Sequence, residues 1–209
     1  MHRFPVAAGK ISRNSARIFS LLLILSSIVL SYTFFQTNAF YLVLFANFMI
    51  IAYSAPPLRV KVRPYLETIW NGIGYGTVPY YLALAIIGTT VSIEMHILGL
   101  IPFFIASSGH VLLQVRDIKD DKKVRIKTTS ALVGQKRMII VSKTMIAFAG
   151  LIIAYLAFIE FLNHLAWLSL AVGALIFAEH RIMKDVRRSY RKLQMLYLIS
   201  GLLFIASLL

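Results

Sequence analysis

The sequence predicts an all-α protein, a polytopic bundle of seven transmembrane helices forming a single domain over residues 1–209. Three observations predict it. Of 209 residues, 59% are hydrophobic and 14% charged, whereas a soluble domain carries about a quarter charged residues. The surplus apolar surface has no place in a water-soluble fold of this length, and lipid tails, as apolar as leucine, can accept it. Seven apolar runs each approach the roughly 20 residues that cross the hydrocarbon layer as a helix. Finally, 21 of the 22 Lys and Arg residues fall in alternate gaps between those runs, the pattern of loops kept on the cytoplasmic side.

The runs cover roughly 17–36, 39–55, 69–91, 95–115, 138–162, 166–182 and 193–209. The first, from Ile18 to Phe35, is too long for the apolar core of a signal peptide and lacks a small-x-small cleavage site, so it reads as a span. Before it stand Arg3, Lys10, Arg13 and Arg17; after it, Gln36-Thr37-Asn38 carries no basic residue. The gap before the third run carries Arg59, Lys61 and Arg63, and the next, near Ser92 to Glu94, carries none. The longest gap, 116–137, carries eight, Asn163-His164 carries none, and 181–192 carries six. Only Lys143 lies inside a run, about a turn and a half into the fifth. The alternation places the N-terminus in the cytoplasm and the C-terminus outside the cell membrane.

The same alternation decides what the net charge of +14 means. Basic residues restricted to short loops between spans are topology determinants and not a nucleic-acid footprint, so no nucleic-acid partner is expected. The absence of cysteine excludes disulfides, thiolate zinc sites and cysteine nucleophiles. The five histidines have no ligand spacing.

The informative segments are therefore the two long basic gaps. The fourth run leads into His110-Val-Leu-Leu-Gln-Val-Arg-Asp117-Ile-Lys-Asp120-Asp121. If the helix continues, Asp117 and Asp121 stand at i and i+4 on one face, with Asp120 beside them. Clustered carboxylates repel, and Mg²⁺ relieves that repulsion. It takes oxygen ligands and is commonly held by one or two carboxylates together with phosphate oxygens. Lys119, Lys122, Lys123, Arg125 and Lys127 surround the acids and suit the direct binding of phosphate oxygens. On these residues alone a solvated charged loop is the favoured reading, because a short Asp cluster is a weak motif. His110, near a helix end, reads as a packed or hydrogen-bonded residue, and Glu160 and Glu179 as structural ones.

The segment Asp117-Ile-Lys-Asp120-Asp121-Lys-Lys-Val-Arg-Ile-Lys127-Thr128-Thr129, followed by Leu132-Val-Gly134, resembles the second aspartate-rich motif of the UbiA-superfamily prenyltransferases. That motif has two Asp spaced D-x-x-x-D, a basic-Thr segment and a short Leu-Gly turn. The stretch Tyr53-Ser-Ala-Pro56-Pro57-Leu-Arg59-Val-Lys61, with Asn71-Gly72-Ile-Gly74-Tyr-Gly76 after it, resembles the family's Y-S-x-P-P-L-R-x-K loop and the small-residue helix that follows. Family members often carry Gly where this chain has Arg125. The family's fold has nine helices, with a first motif, N-D-x-x-D, at the end of the second; this sequence has no such motif. Its opening, His2-Arg3-Phe4-Pro5-Val-Ala-Ala-Gly9-Lys10-Ile11-Ser12, resembles the segment that follows the first motif. The resemblance thus implies the C-terminal seven helices of the nine-helix fold, N-terminally truncated.

What the resemblance implies is Mg²⁺-dependent transfer of a prenyl group from a prenyl diphosphate to an aromatic or other lipophilic acceptor, as in quinone, lipid or isoprenoid biosynthesis. Asp117 and Asp121 would be the catalytic metal ligands, with Asp120 as a third candidate. Arg59, Lys61 and Lys127 would contact the diphosphate, and Tyr53 and Asn71 would line the substrate site. Gly72, Gly74 and Gly76 would be close-packing residues between helices. One alternative is a partial or inactive homologue that needs a separate polypeptide carrying the first two helices. A small membrane transporter component is the other; the scarcity of ionisable residues in the middles of the runs weighs against it.

Overall fold

The structure, a computed structural model, describes residues 5, 6, 8–35, 37–123, 128–182 and 186–208. Within the helices, the side chains of 119–122, 179–182, 186–191, 193 and 194 are outside that description. So are residues 2–4 and 7 of the opening segment, the whole of Lys127, and the side chains of Asp120 and Asp121.

Ten α-helices make up the described chain: α1 (Arg13–Phe34), α2 (Thr37–Ser54), α3 (Leu66–Gly72), α4 (Val78–Ile87), α5 (Ile93–Leu98), α6 (Leu100–Lys123), α7 (Thr129–Val133), α8 (Gln135–Phe158), α9 (Leu165–Ile182) and α10 (Val186–Ala206). Each begins for a local reason where the sequence supplies one. Ser12 caps α1 by accepting from the Ser15 N–H at 3.0 Å, and Ser92 caps α5 through the Met95 N–H. Thr128 caps α7 through the Ala131 N–H, each satisfying an amide that has no partner inside its helix. Gly88 ends α4 in the left-handed conformation, at φ 74°, where a side chain would be strained.

The third apolar run is one rod with a defect. A π-type turn at Ile73–Thr77 joins α3 to α4. The Val78 N–H reaches back five residues to the Ile73 carbonyl, and next to it Pro79 has no N–H to donate to the Tyr75 carbonyl four residues earlier, so regular α-helical bonding is broken here. Likewise α5 and α6 form a broken rod with its break at Gly99. There the Tyr80 ring occupies the space a side chain would need, and the Tyr80 hydroxyl donates to the Met95 carbonyl at 2.7 Å.

Among the described residues, four helices are long and apolar enough to cross a membrane: Arg13–Phe34, Thr37–Ser54, Ile93–Ile118 and Gln135–Phe158. The π turn divides the third run, and Leu165–Ala178 and Met195–Ala206 are further apolar helical stretches among the described residues. Large apolar side chains face outward, including Phe19, Leu23, Ile50, Ile87, Leu151 and Phe158, as lipid contact requires.

Inside, the helices are joined by close packing and hydroxyl pairs. Helix α6 is central. Val111, Leu112 and Val115 pack with Met138 and Ile146 of α8. Beside them the buried Ser108 hydroxyl meets Ser142 at 2.7 Å and Tyr197 of α10 at 2.9 Å. Asn47 of α2 donates to Ser27 of α1, and Ser169 of α9 meets Ser200 of α10. Such polar pairs hold helices together where lipid gives no hydrophobic driving force. On its other side α6 lies against the α3–α4 rod. A Cβ at Gly72 would fall on the Ser107 hydroxyl and the Phe103 ring, and one at Gly76 on the Pro102 carbonyl. Gly74 differs from its neighbours: a Cβ there would meet only the Met49 methyl, at 3.6 Å.

This difference is testable. Gly76→Ala drives a methyl into backbone and should cost about 1–3 kcal/mol, lowering Tm in detergent by about 2–4 °C per kcal/mol for a chain of this length. Gly74→Ala should leave Tm within about 2 °C. Equal unfolding temperatures for the two variants would contradict the packing described.

Candidate active site

The two basic gaps come together at one end of α6. The first leaves α2 at Ser54, passes a cis Pro56-Pro57 bond, and turns at Arg59, whose backbone is left-handed at φ 40°. The loop is held from within. Val60 is 1% exposed, and the Arg63 guanidinium donates to the carbonyls of Leu58 at 2.6 Å and Pro57 at 3.2 Å. Arg63 is thus committed to the loop's own backbone. Arg59 and Lys61 form no side-chain hydrogen bond or ion pair among the described residues.

Both face a cavity of about 1010 Å³. Tyr53 of α2, Arg59, Lys61 and Val62 of the loop, and Glu67, Asn71 and Tyr75 of the α3–α4 rod line one wall. Gly109, His110, Leu113, Gln114, Arg116 and Asp117 of α6 line the facing wall, and Thr128 closes it. Of the eight site residues expected from sequence, Tyr53, Arg59, Lys61, Asn71 and Asp117 therefore share one cavity. Lys127 and the side chains of Asp120 and Asp121 lie outside the described residues. The backbone of α6 does run on to Lys123, so positions 117 and 121 are one helical turn apart.

The Asp117 carboxylate accepts a forked pair from the neighbouring Arg116, at 2.7 Å from Nε and 2.9 Å from Nη2. The two are 43% and 32% exposed, so this is a partly hydrated pair that an incoming cation or anion can divide between them. Asn71 Nδ2 donates to the Glu67 carbonyl at 2.7 Å and lies 3.4 Å from His110 Nε2. His110 thus sits in the cavity wall with a polar neighbour, as a packed histidine.

Glu67, Thr129 and Gln114 carry contacts that sequence reasoning missed. Glu67 is 2% exposed, and its Oε1 accepts from the Thr129 N–H at 2.8 Å and the Thr129 hydroxyl at 3.0 Å. Thr129 Oγ1 in turn accepts from the Tyr65 N–H at 2.7 Å. Gln114 donates from Nε2 to Thr68 at 3.2 Å, and its carbonyl accepts from the Ser130 hydroxyl at 3.1 Å. An acid in the first turn after Pro64, together with a Thr-Thr-Ser run after the basic loop, was the available signal. Nothing in the spacing of residues 62 apart says that they meet.

Among the described residues, the arrangement has two cations without a side-chain partner on one wall and a partly exposed carboxylate facing them. It suits a polyanion bridged to a metal. Among the described residues there is no group of three or more side chains able to hold a metal ion. Asp117 supplies a hard oxygen donor of the kind Mg²⁺ prefers.

The UbiA prenyltransferase family pattern matches residues 2–208. A lycopene elongase/hydratase of Corynebacterium glutamicum is 29% identical over 108 residues, 51% of this chain and 37% of that protein. A chloroplastic 2-acyl-4-prenylphloroglucinol 6-prenyltransferase of Humulus lupulus is 26% identical over 145 residues, 66% of this chain and 35% of that protein. The chain thus spans about a third of the length of these relatives. Among solved structures, a UbiA homologue of Archaeoglobus fulgidus with DMAPP and Mg²⁺ bound superposes with a TM-score of 0.70 at 21% identity. It covers 99% of this chain and 73% of that one. Digeranylgeranylglyceryl phosphate synthase superposes at 0.74 with 18% identity, over 98% of this chain and 73% of that one. At such identities the likeness is one of fold.

Among the described residues, the Gln114 Oε1 atom is buried without a hydrogen-bond partner. Gln114→Met gives up one hydrogen bond to Thr68 and also removes that orphaned acceptor, so the two effects oppose. The variant should unfold within about 1 kcal/mol of the parent, judged by thermal unfolding in detergent. A loss above about 2 kcal/mol would show that the amide does more than the structure indicates.

Proposed function

This chain belongs to the UbiA prenyltransferase family, and from that premise we propose that it transfers a prenyl group from a prenyl diphosphate to a lipophilic acceptor. One observation supports this reading above the rest. Arg59 and Lys61 line the same cavity as Asp117, from a segment nearly 60 residues away.

In this reading Arg59 and Lys61 bind the diphosphate oxygens, with Lys127 of the adjoining loop as a third cation. Asp117 and, one turn on, Asp121 would hold Mg²⁺, with Asp120 beside them. Their hard oxygen donors fit that ion. When bound, Mg²⁺ neutralises charge on the diphosphate and so favours its departure. Arg59 and Lys61 stabilise the negative charge that grows on the bridging oxygen as the allylic C–O bond breaks. The acceptor then attacks the allylic carbon. The apolar walls near Leu113 and Ala106 keep water from competing with it. Tyr53 and Asn71 line the space beside the reacting groups.

The described acids favour a companion reading. Of the two carboxylates in the cavity wall, Glu67 is engaged with Thr129, which leaves Asp117 as the available donor among described side chains. A leaving diphosphate gripped from two sides calls for a second carboxylate set, which a further segment, on this or a separate polypeptide, would bring. Co-expression with a two-helix piece ending in N-D-x-x-D should then raise prenyl transfer in Mg²⁺-containing membranes.

The bundle is proposed to cross the cell membrane seven times, with the N-terminus and both basic loops in the cytoplasm. The reading rests on the confinement of basic residues to alternate gaps.

Two measurements check these proposals. Asp117→Asn and Asp121→Asn should each lower the rate of prenyl transfer from labelled diphosphate by about 10² or more, while Arg125→Gly should be mild. Full activity of Asp117→Asn would remove this site from the mechanism. Cysteines placed at Gln36, Glu94 and Asn163 should react with an impermeant reagent in intact cells, and one at Lys123 should not. Labelling at position 123 would reverse the topology.

A further inference from the structure

Helix α7 is fastened to both walls of the cavity at once. On the basic side, Glu67 Oε1 takes both polar hydrogens of Thr129, and the Tyr65 N–H donates to the same hydroxyl. On the acidic side, the Ser130 hydroxyl donates to the carbonyl of Gln114, three residues before Asp117 on α6. The Glu67 N–H itself returns to the Arg63 carbonyl at 3.3 Å, and Arg63 is the residue whose guanidinium holds the loop that bears Arg59 and Lys61. Hydrogen bonds, together with the short backbone segments between them, therefore connect the loop that bears Arg59 and Lys61, through Glu67 and Thr129, to the helix that presents Asp117.

A carboxylate is a costly choice for this position. Burying an ionised acid is unfavourable unless it is well bonded. The start of α7 already has its own cap, the Thr128 hydroxyl, so the Glu67 carboxylate is not needed for that service alone. What Glu67 adds is a link between segments 62 residues apart in sequence.

We propose that Glu67 is a positioning residue. Through Thr129 it sets the distance between the Arg59–Lys61 loop and the Asp117–Thr128 wall, and so the width of the diphosphate site. This rests on the prenyl diphosphate reading given above. It also assigns the acid a role other than that of metal ligand. Glu67 acts through the acceptor oxygen that holds Thr129, and neither charge nor direct contact with substrate is needed for that.

The full chain is tested in Mg²⁺-containing membranes as the parent and as Glu67→Ala, Glu67→Gln, Thr129→Val and the Glu67→Ala/Thr129→Val double variant. Prenyl transfer is read as KM and kcat, and binding of Mg²⁺-pyrophosphate is read in parallel. Glu67→Ala should raise KM for the prenyl diphosphate, and weaken pyrophosphate binding, by about tenfold, with kcat moved by less than about threefold. Glu67→Gln keeps an acceptor oxygen and should recover most of the loss. Thr129→Val should show the same split more weakly, and the double variant should be no worse than Glu67→Ala, as for groups acting as one unit. Should Glu67→Ala fail to fold, Thr129→Val and Glu67→Gln carry the test. The proposal is overturned if Glu67→Gln fails as badly as alanine, if the loss falls on kcat alone, or if the two single effects add. Pyrophosphate binding that follows this pattern without any prenyl transfer would sink the assigned reaction and keep the positioning role. No pyrophosphate binding by the parent would sink both.

Discussion

The approach of α6 to the α3–α4 rod is the contact on which the rest of the structure depends. Gly76 lies against the backbone at Pro102 and Gly72 against the Ser107 and Phe103 side chains, so the rod contributes no side chain of its own at either point of contact. Farther along the same pair of rods the separation is set by that contact. Thr68 reaches Gln114, Asn71 comes within 3.4 Å of His110, and the cavity opens beyond them. A bulkier residue at Gly76 would part the rods at the point from which the polar contacts are measured. The π turn at Ile73–Thr77 belongs to the same device, because it follows Gly72 directly, contains Gly76 and shifts the register of the helix that carries them.

Lipid imposes a second constraint. An apolar medium offers no partner for a buried polar group, so the bundle pairs its hydroxyls internally. Ser108, Ser142 and Tyr197 join three helices at one level, and Ser169 with Ser200 joins two at another. The exceptions are few among the described residues: Ser107 Oγ and Gln114 Oε1, both near the close-packed interface. Packing there outweighs full hydrogen bonding, since moving either group would reopen the contact between the rods.

Charge is handled by segregation. The membrane-facing surfaces are apolar, and the basic residues collect where chain enters and leaves the bundle. Arg63 is consumed in holding its own loop and Arg116 forks onto Asp117. Among the described residues Arg59 and Lys61 face the cavity without a side-chain partner, and the burial of Val60 between them keeps the loop in place.

By itself the sequence determined the all-helical class, the membrane-embedded character and the two basic segments that meet at the cavity. Each of these is a local property, written in run length, basic-residue placement and short motifs. It also placed the apolar runs on the long helices, although α10 begins at Val186, ahead of the run expected from residue 193. Tertiary structure alone decided which of the loop cations remain available. Arg59, Lys61 and Arg63 are alike in sequence and differ only in what stands beside them. The engagement of Glu67 with Thr129, and the separate behaviour of Gly74 from Gly72 and Gly76, were likewise decided there. The division of the third run by Pro79 was hidden because hydropathy measures apolarity and does not register a missing N–H. Periodicity and charge report how one segment meets its solvent. They carry no information about which residue of a distant segment it will touch, and the cavity is made of those contacts.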